Sequence, residues 1–342
     1  MSEMRAIDIE DHAALLGYLR GRRWIPADER PTFRTLTGGV SNRTVWAQRR
    51  GGQDWVIKQA LAKLRVQVDW FSAPERIQRE AAGLRWLGGL IPEHVPAVVH
   101  QDSENNILVM TAIAQPHCNW KTALLAGRTS IDFAQSFGEL LATIHNAAER
   151  HPQLEAEFAE RRFFEELRLE PYYGYTASQM PAASAFLKRL IADTGRRRFA
   201  LAHGDYSPKN VLIQRGRLII LDYEVIHFGD PAFDIGFSLT HFLSKAHHLP
   251  AHRVAFLDMA RAYWQSYLAN LSPPLHDAVR AYAVKHTLAC LLARVAGRSP
   301  LEYLDADQRE RQGRIVLDLI REGIGAAPDL IDAFGAKLGQ MP

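Results

Sequence analysis

The sequence predicts an α+β chain in two lobes. A small lobe over residues 1–114 is built on an antiparallel sheet with one helix, and a larger, mainly helical lobe covers 115–342. Three observations predict it. Five short runs rich in β-branched and aromatic residues fall before residue 113, with one long helical pattern between the third and fourth. From residue 131 onward most segments carry apolar residues at helical spacing. The exception is a polar stretch, His203-Gly-Asp-Tyr-Ser-Pro-Lys-Asn210, which runs into two strand-like segments and a second acidic loop, Leu221-Asp-Tyr-Glu224.

In chain order, Ile9, Ala13, Leu15, Leu16 and Leu19 predict a helix over 9–20 that covers the small lobe, with Asp8 placed to cap it. Strands follow at 32–36, 43–48 and 55–59. The first two enclose Thr37-Gly-Gly-Val-Ser-Asn42, and the next pair the turn Arg50-Gly-Gly-Gln53. Paired glycines let a backbone approach a phosphate and point its N–H groups at it. Lys58 ends the third run, and a lysine in a half-buried strand is costly unless paired. The helical pattern over 74–89 opens on Pro74 and carries Ile77, Ala81, Leu84 and Leu87 as one stripe. Glu80 flanks that stripe and is the candidate partner of Lys58. Strands at 96–100 and 107–112, joined by Asp102-Ser-Glu-Asn-Asn106, complete the sheet.

The rest reads as helical. Phe133, Phe137, Leu140, Leu141 and Ile144 form a core-facing stripe over 131–148. Residues 151–170 are charge-dense and read as a solvated insertion, and Pro171-Tyr-Tyr-Gly-Tyr175 as a surface loop with aromatic packing. Further helices are predicted over 184–193, from 233, and near 251–269, 274–296 and 306–325. His247 and His248 lack spaced partners and read as a polar helix end.

Composition bounds the function. The chain has 342 residues, 47% hydrophobic and 23% charged, with a net charge of +3. No basic run exceeds Arg196-Arg-Arg198, which argues against nucleic acid as a partner. Cys118 and Cys290 form no Cys-x-x-Cys pair, so neither a disulfide framework nor a zinc motif is expected, and a cytoplasmic location is. The first residues lack a signal-peptide core, and no window approaches eighteen apolar residues, so no membrane span is expected.

The chemistry lies in the polar stretch. Val211–Ile213 and Leu218–Leu221, with Arg215-Gly216 as the turn, predict a hairpin that brings Asp205, Asn210 and Asp222 to one end. Oxygen-only ligands suit a hard cation such as Mg²⁺, which shares substrate phosphates. Phosphoryl transfer needs that metal, a group to orient the attacking hydroxyl, and cationic cover for the phosphates. The spacings 210 − 205 = 5 and 222 − 210 = 12 leave room for two short strands and a turn.

This stretch, with its continuation Gly229-Asp-Pro-Ala-Phe-Asp-Ile-Gly236, resembles the aminoglycoside phosphotransferase and choline kinase superfamily, small-molecule relatives of protein kinases. Lys58-Gln-Ala-Leu61, Arg65, Trp70 and Pro92-Glu-His-Val-Pro96 are similar, in part, to methylthioribose kinases within it. The resemblance implies a bilobal protein-kinase-like fold with ATP in the cleft between the lobes. It implies Asp205 as the base that contacts the acceptor hydroxyl, and Asn210 and Asp222 as ligands of Mg²⁺. Asp222-x-Glu224 resembles an acidic metal pair, which adds Glu224. Gly38, Gly39, Ser41 and Asn42 would cover the phosphates, with Lys58 paired to Glu80 behind them. The segment Met110 to Ile113 would hold adenine by its backbone. Asp230 and Asp234 would cap a helix and brace the catalytic loop, and Arg294 lies where the family places substrate contacts.

The activity so implied is ATP-dependent transfer of a phosphoryl group to a hydroxyl of a small molecule, with a sugar-like or aminoglycoside-like acceptor. Choline, homoserine or another metabolite is the alternative acceptor, and a non-catalytic nucleotide-binding protein of the same fold is the alternative class. Arg294 has no adjacent arginine, and the C-terminal half shows no acidic cluster suited to a polycation, so the acceptor stays open. Relatives that resemble the chain are often dimers, so a homodimer is an option the sequence does not decide.

Overall fold

A computed structural model describes residues 7–37, 39–66 and 69–340. The chain divides into two units, Met1–His117 with Ile219–Glu224, and Cys118–Leu218 with Val225–Pro342. A single cut near 114 therefore omits a six-residue return to the first unit. The return has a chemical reason: it carries Asp222, bonded to Lys58, and Glu224, bonded to Arg76.

The first unit holds helix α1 (His12–Gly21), strands β1 (Thr32–Thr35), β2 (Asn42–Gln48) and β3 (Trp55–Ala60), helix α2 (Arg76–Leu90), and strands β4 (Val98–Asp102) and β5 (Ile107–Thr111). The strands form one antiparallel sheet in the order β1-β2-β3-β5-β4. Alternation sorts its faces. Val45, Ala47, Trp55, Ile57, Ile107 and Val109 pack with Leu15 and Leu19 of α1. On α2 the buried residues are the expected stripe of Ile77, Ala81, Leu84 and Leu87, with Glu80 among them. Helix α1 is capped by Asp11, which accepts from Ala13 and Ala14 N–H, and not by Asp8, whose carboxylate takes the Glu10 N–H. A turn through Ile9 and Glu10, closed by the Asp11 N–H to Asp8 O at 3.2 Å, separates the two aspartates.

The second unit starts with β6 (His117–Asn119), α3 (Trp120–Leu125) and α4 (Ile131–Arg150), followed by α5 (Gln153–Glu157) and α6 (Arg162–Phe164). A wide π-helical segment, Glu165–Gly174, continues through Pro171 into α7 (Tyr175–Gln179) and then α8 (Pro181–Arg196). The expected solvated insertion and surface loop are thus corrected. Leu167, Arg168, Leu169, Tyr172 and Tyr173 are buried, and Tyr172 and Tyr173 lie against Phe237 and Phe233. Charge density along the segment concealed an apolar face.

Strands β7 (Ala200–Ala202) and β10 (His227–Gly229) pair, and between them β8 (Val211–Gln214) and β9 (Arg217–Ile220) form the expected hairpin. Its turn residues Arg215 and Gly216 have φ of 49° and 77°, the left-handed pair of a tight type I′ hairpin. Helices α9 (Pro231–His248), α10 (Arg253–Asn270), α11 (Pro273–Ala296), α12 (Ala306–Glu322) and α13 (Ala327–Gln340) complete the chain. Helix α9 is buried along nearly its whole length and packs on α10 and α11. Gly236 permits the second contact, because a Cβ there would meet the His286 backbone at 2.5 Å. Among the described residues no helix is long and apolar enough to cross a membrane.

Candidate active site

The sequence-predicted residues fall into one group in each unit. In the first, Lys58 sits on β3 opposite Thr44 and Leu108. Its Nζ donates to Glu80 Oε1 at 2.6 Å and to Asp222 Oδ1 at 3.2 Å. Burial disfavours the ammonium, but Asp222 and Glu80 outweigh it and hold the lysine pKa far above its ordinary range. Burial raises the Glu80 carboxyl, and Lys58 offsets only part of that rise. Asp222 has φ 70°, a left-handed conformation that costs a non-glycine residue about 1–2 kcal/mol. Aspartate is among the residues that tolerate it best.

Arg76, which sequence reasoning missed, holds this group together. It is fully buried at the start of α2. Its Nε donates to Glu224 Oε2 at 3.0 Å, and Nη1 to the carbonyls of Ser72 (3.0 Å) and Ala73 (3.2 Å). Its Nη2 donates to Leu61 O at 2.9 Å and to Ser41 O. One guanidinium, with its five donors in a rigid fork, thus ties the end of the glycine loop, the end of β3 and the acidic loop. Asn42 Nδ2 reaches the same Glu224 oxygen at 3.3 Å and Ser41 Oγ at 3.2 Å. Ser41, Asn42 and Glu224 are all buried. Of the glycines, Gly38 lies outside the described residues, and a Cβ on Gly39 would touch only Asn42 O at 3.8 Å.

Met110 lies within the sheet, between Val56 and Val98. The next two N–H groups are taken as well, Thr111 by Ala97 O at 2.9 Å and Ala112 by Asp54 O at 2.8 Å. Half-buried Ile113 is the first residue beyond these pairings.

In the second unit, β7 delivers His203-Gly204-Asp205. Asp234, at the start of α9, accepts from the backbone N–H of His203 (2.7 Å) and of Gly204 (2.8 Å). His145 also bonds Asp234, at 3.2 Å. Burial alone would raise the Asp234 carboxyl, but the His145 contact and the backbone donors hold it below the usual carboxylate range. Asp230 caps α9 through Ala232 N–H and pairs with Arg197 at 2.5 Å. Gly204 has φ 77°, and a Cβ there would meet Val225 at 2.9 Å, so conformation and space both require glycine.

Asp205 is 7% exposed. Its Oδ2 accepts from Asn210 Nδ2 at 2.7 Å and from Arg168 Nη2 at 2.7 Å. Among the described residues no donor reaches Oδ1. Asn210 Nδ2 also bonds Asp205 O at 3.0 Å. Both of its partners are acceptors, so the amide nitrogen must face them and the amide oxygen must face away. Arg168 is the second residue missed, because it lies in the stretch read as solvated. Its guanidinium sits 5.9 Å from the Tyr172 ring. The guanidinium of Arg294 is 4.8 Å from that ring and 5.2 Å from Phe237. Arg294 Nη1 donates to Ser299 O at 2.8 Å and Oγ at 3.1 Å. Asp205, Arg168, Tyr172 and Arg294 therefore form one continuous row.

Known proteins place these groups in context. A sequence model of the phosphotransferase enzyme family matches residues 32–282. The chain is similar to methylthioribose kinase of Pectobacterium atrosepticum, 26% identical with 83% of this chain and 86% of that one covered. It is also similar to methylthioribose kinase 1 of Oryza sativa subsp. japonica, 27% identical over 66% of this chain and 60% of that one. Two solved structures share the fold. Macrolide 2'-phosphotransferase of Brachybacterium faecium has a TM-score of 0.52 and 20% identity, covering 96% and 99% of the two chains. Choline kinase of Cryptosporidium parvum Iowa II has a TM-score of 0.58 and 12% identity, covering 94% and 100%.

Proposed function

The chain belongs to the phosphotransferase enzyme family and is an ATP-dependent small-molecule kinase, and on that premise we propose the roles of its residues and the nature of its acceptor. The observation that carries the reading is the Lys58 ammonium bonded at once to Glu80 and Asp222. A half-buried lysine held charged between two acids has the chemistry to exchange one of them for nucleotide phosphate.

In the first unit, Lys58 anchors the ATP phosphates and Glu80 fixes its direction. Gly39, Ser41 and Asn42 cover the phosphates by backbone N–H groups. Adenine is held by the backbone just past β5, at Ile113 rather than at Met110, whose place within the sheet favours that choice. Asp222 is the carboxylate ligand of Mg²⁺. Glu224 commits one oxygen to Arg76 and Asn42, and its other oxygen is the one that would face a metal.

In the second unit, Asn210 contributes its amide oxygen to the cation. Carboxylate and amide oxygens are the donor set that a hard divalent cation takes. When bound, Mg²⁺ neutralises charge that develops on the transferring phosphate. Asp205 Oδ1 accepts the proton of the acceptor hydroxyl. The acceptor's hydroxyl oxygen attacks the γ-phosphorus, the bond to the ADP bridging oxygen breaks, and a phosphomonoester and ADP result, the proton remaining on Asp205. Arg168 and Asn210, both on Oδ2, hold the carboxylate so that Oδ1 is presented. The relatives named methylthioribose kinase make a sugar-like hydroxyl the favoured acceptor.

Asp205→Ala tests this. Nucleotide binding should persist, while turnover falls on the order of 10²–10⁴-fold, the usual contribution of such a base. Turnover within a few fold of wild type would remove Asp205 from the role.

A further inference from the structure

We propose that the second unit contains a built site for an anionic group, a carboxylate or phosphate carried by the acceptor, formed by His241, Lys245 and Arg294. The identification of its occupant as the acceptor rests on the kinase reading; the anion site itself rests on the following observations.

Helix α9 presents Asp234, Ser238, His241 and Lys245 at steps of four, three and four residues, which is one face of a helix. The first two grip the catalytic loop: Asp234 holds the His203 and Gly204 N–H groups, and Ser238 Oγ donates to Tyr206 O at 2.7 Å. The same face then continues for about 10 Å from Ser238 to Lys245. A second path leads to the same place. The row from Asp205 through Arg168 and Tyr172 ends at Arg294, whose Nη2 lies 3.4 Å from His241 Nε2.

The donors there exceed the acceptors. A guanidinium only donates, so His241 Nε2 accepts and Nδ1 carries the proton. That Nδ1 is buried without a partner, as is Arg294 Nε. Lys245 is fully buried, and its Nζ makes one hydrogen bond, to His241 O at 3.2 Å. The Tyr303 hydroxyl is buried and unpartnered too, and its ring lies 5.3 Å from Lys245 Nζ and 6.0 Å from Lys121 Nζ. The nearby acid, Glu302, is held by Lys121. Among the described residues no carboxylate pairs with Lys245 or Arg294.

Buried donors and cations without an acceptor are costly. Burial, with Lys121 and Arg294 adding to it and Glu302 opposing it, drives Lys245 down to about 7, and burial with Lys245 and Arg294 drives His241 well below its usual value. An anion seated among them would offer acceptor oxygens to these donors. A polycationic or quaternary-ammonium acceptor would be repelled by them.

The test uses the full chain and two probes. Thermal melting is followed with inorganic sulfate titrated in the low millimolar range against chloride at constant ionic strength. Wild type should show a saturable rise in Tm that Lys245→Met and Arg294→Met both lose. An equal rise in all three proteins overturns the site. Turnover is then compared for matched acceptors, galactose with galacturonate and ribose with ribose 5-phosphate, which separates carboxylate from phosphate. The charged member should be preferred, and Lys245→Met should raise its KM about tenfold to hundredfold while leaving the neutral member unchanged. Equal use of both members by both proteins overturns the assignment. Asp205→Ala should lower turnover on the order of 10²–10⁴-fold yet keep the sulfate response. A saturable, Lys245-dependent sulfate response with no acceptor turned over would support the anion site and defeat the kinase reading alone.

Discussion

Lys58 is half-buried and Lys245 fully buried, and their surroundings drive them in opposite directions. Lys58, in the first unit, sits between Glu80 and Asp222, with Glu224 adding its charge, and is pushed up. Lys245, in the second, is pushed down to about 7 by burial, with Lys121 and Arg294 adding to it against Glu302. Desolvation lowers both; around Lys58 three acids outweigh it, and around Lys245 the single acid Glu302 does not. Paired charge in the first unit suits a site that exchanges a carboxylate for phosphate. Unpaired charge in the second suits a site completed by its ligand.

The largest effect should come from the most completely paired cation. Arg76→Met leaves Glu224 buried without its counter-charge and frees four carbonyls. A loss of about 3–5 kcal/mol is expected, read from urea unfolding, together with weakened ATP binding as the glycine loop and acidic loop come apart. A loss below about 1 kcal/mol would mean that the hub is not structural. Lys58→Met should cost somewhat less, about 2–4 kcal/mol, and the loss should shrink as pH falls. Glu80 is already raised by burial, and without Lys58 it can take up a proton and so relieve the unpaired charge. A loss independent of pH would contradict the pairing.

The smallest effect, and one of opposite sign, should come from Lys245→Met, a gain of about 1–2 kcal/mol at pH 7 in the absence of ligand. The unfolded chain keeps the lysine proton up to about pH 10.4, while the folded chain gives it up above about 7. Between these values the unfolded state binds more protons, so wild-type stability should rise with pH. The rise should be missing in Lys245→Met. Parallel stability curves from pH 7 to 10 would show that Lys245 is not depressed.

The same contrast explains how much could be read from the sequence. The Lys58–Glu80 pair was legible because a lysine at a strand end and a glutamate beside an apolar helical stripe are local patterns, with both elements predicted. The roles of Asp230 and Asp234 as cap and brace followed from a motif at the start of a helix. Arg76 was not legible, since its partners Ser41 and Glu224 lie 35 and 148 residues away. Arg168 was hidden because charged residues around it suggested solvent, whereas a π-helical turn carries Leu167, Leu169 and Tyr172 inward with it. His241 and Lys245 were obscured for another reason: their spacing along the helix from 233 is visible in the sequence, but the lack of a carboxylate paired with them is not. Local charge and periodicity are visible in a sequence, but long-range pairing, and its absence, become visible only in the fold.

The central claim is that this chain moves the ATP γ-phosphoryl group to an acceptor hydroxyl by way of Asp205. Phosphorus NMR of Mg-ATP reactions, over a panel of neutral, anionic and cationic sugars and alcohols, tests it most directly. The account predicts a new phosphomonoester signal that matches ADP release in wild type, and no such signal with Asp205→Ala although ATP remains bound. A phosphomonoester formed equally well by Asp205→Ala, or ATP converted only to inorganic phosphate with every acceptor, would contradict it.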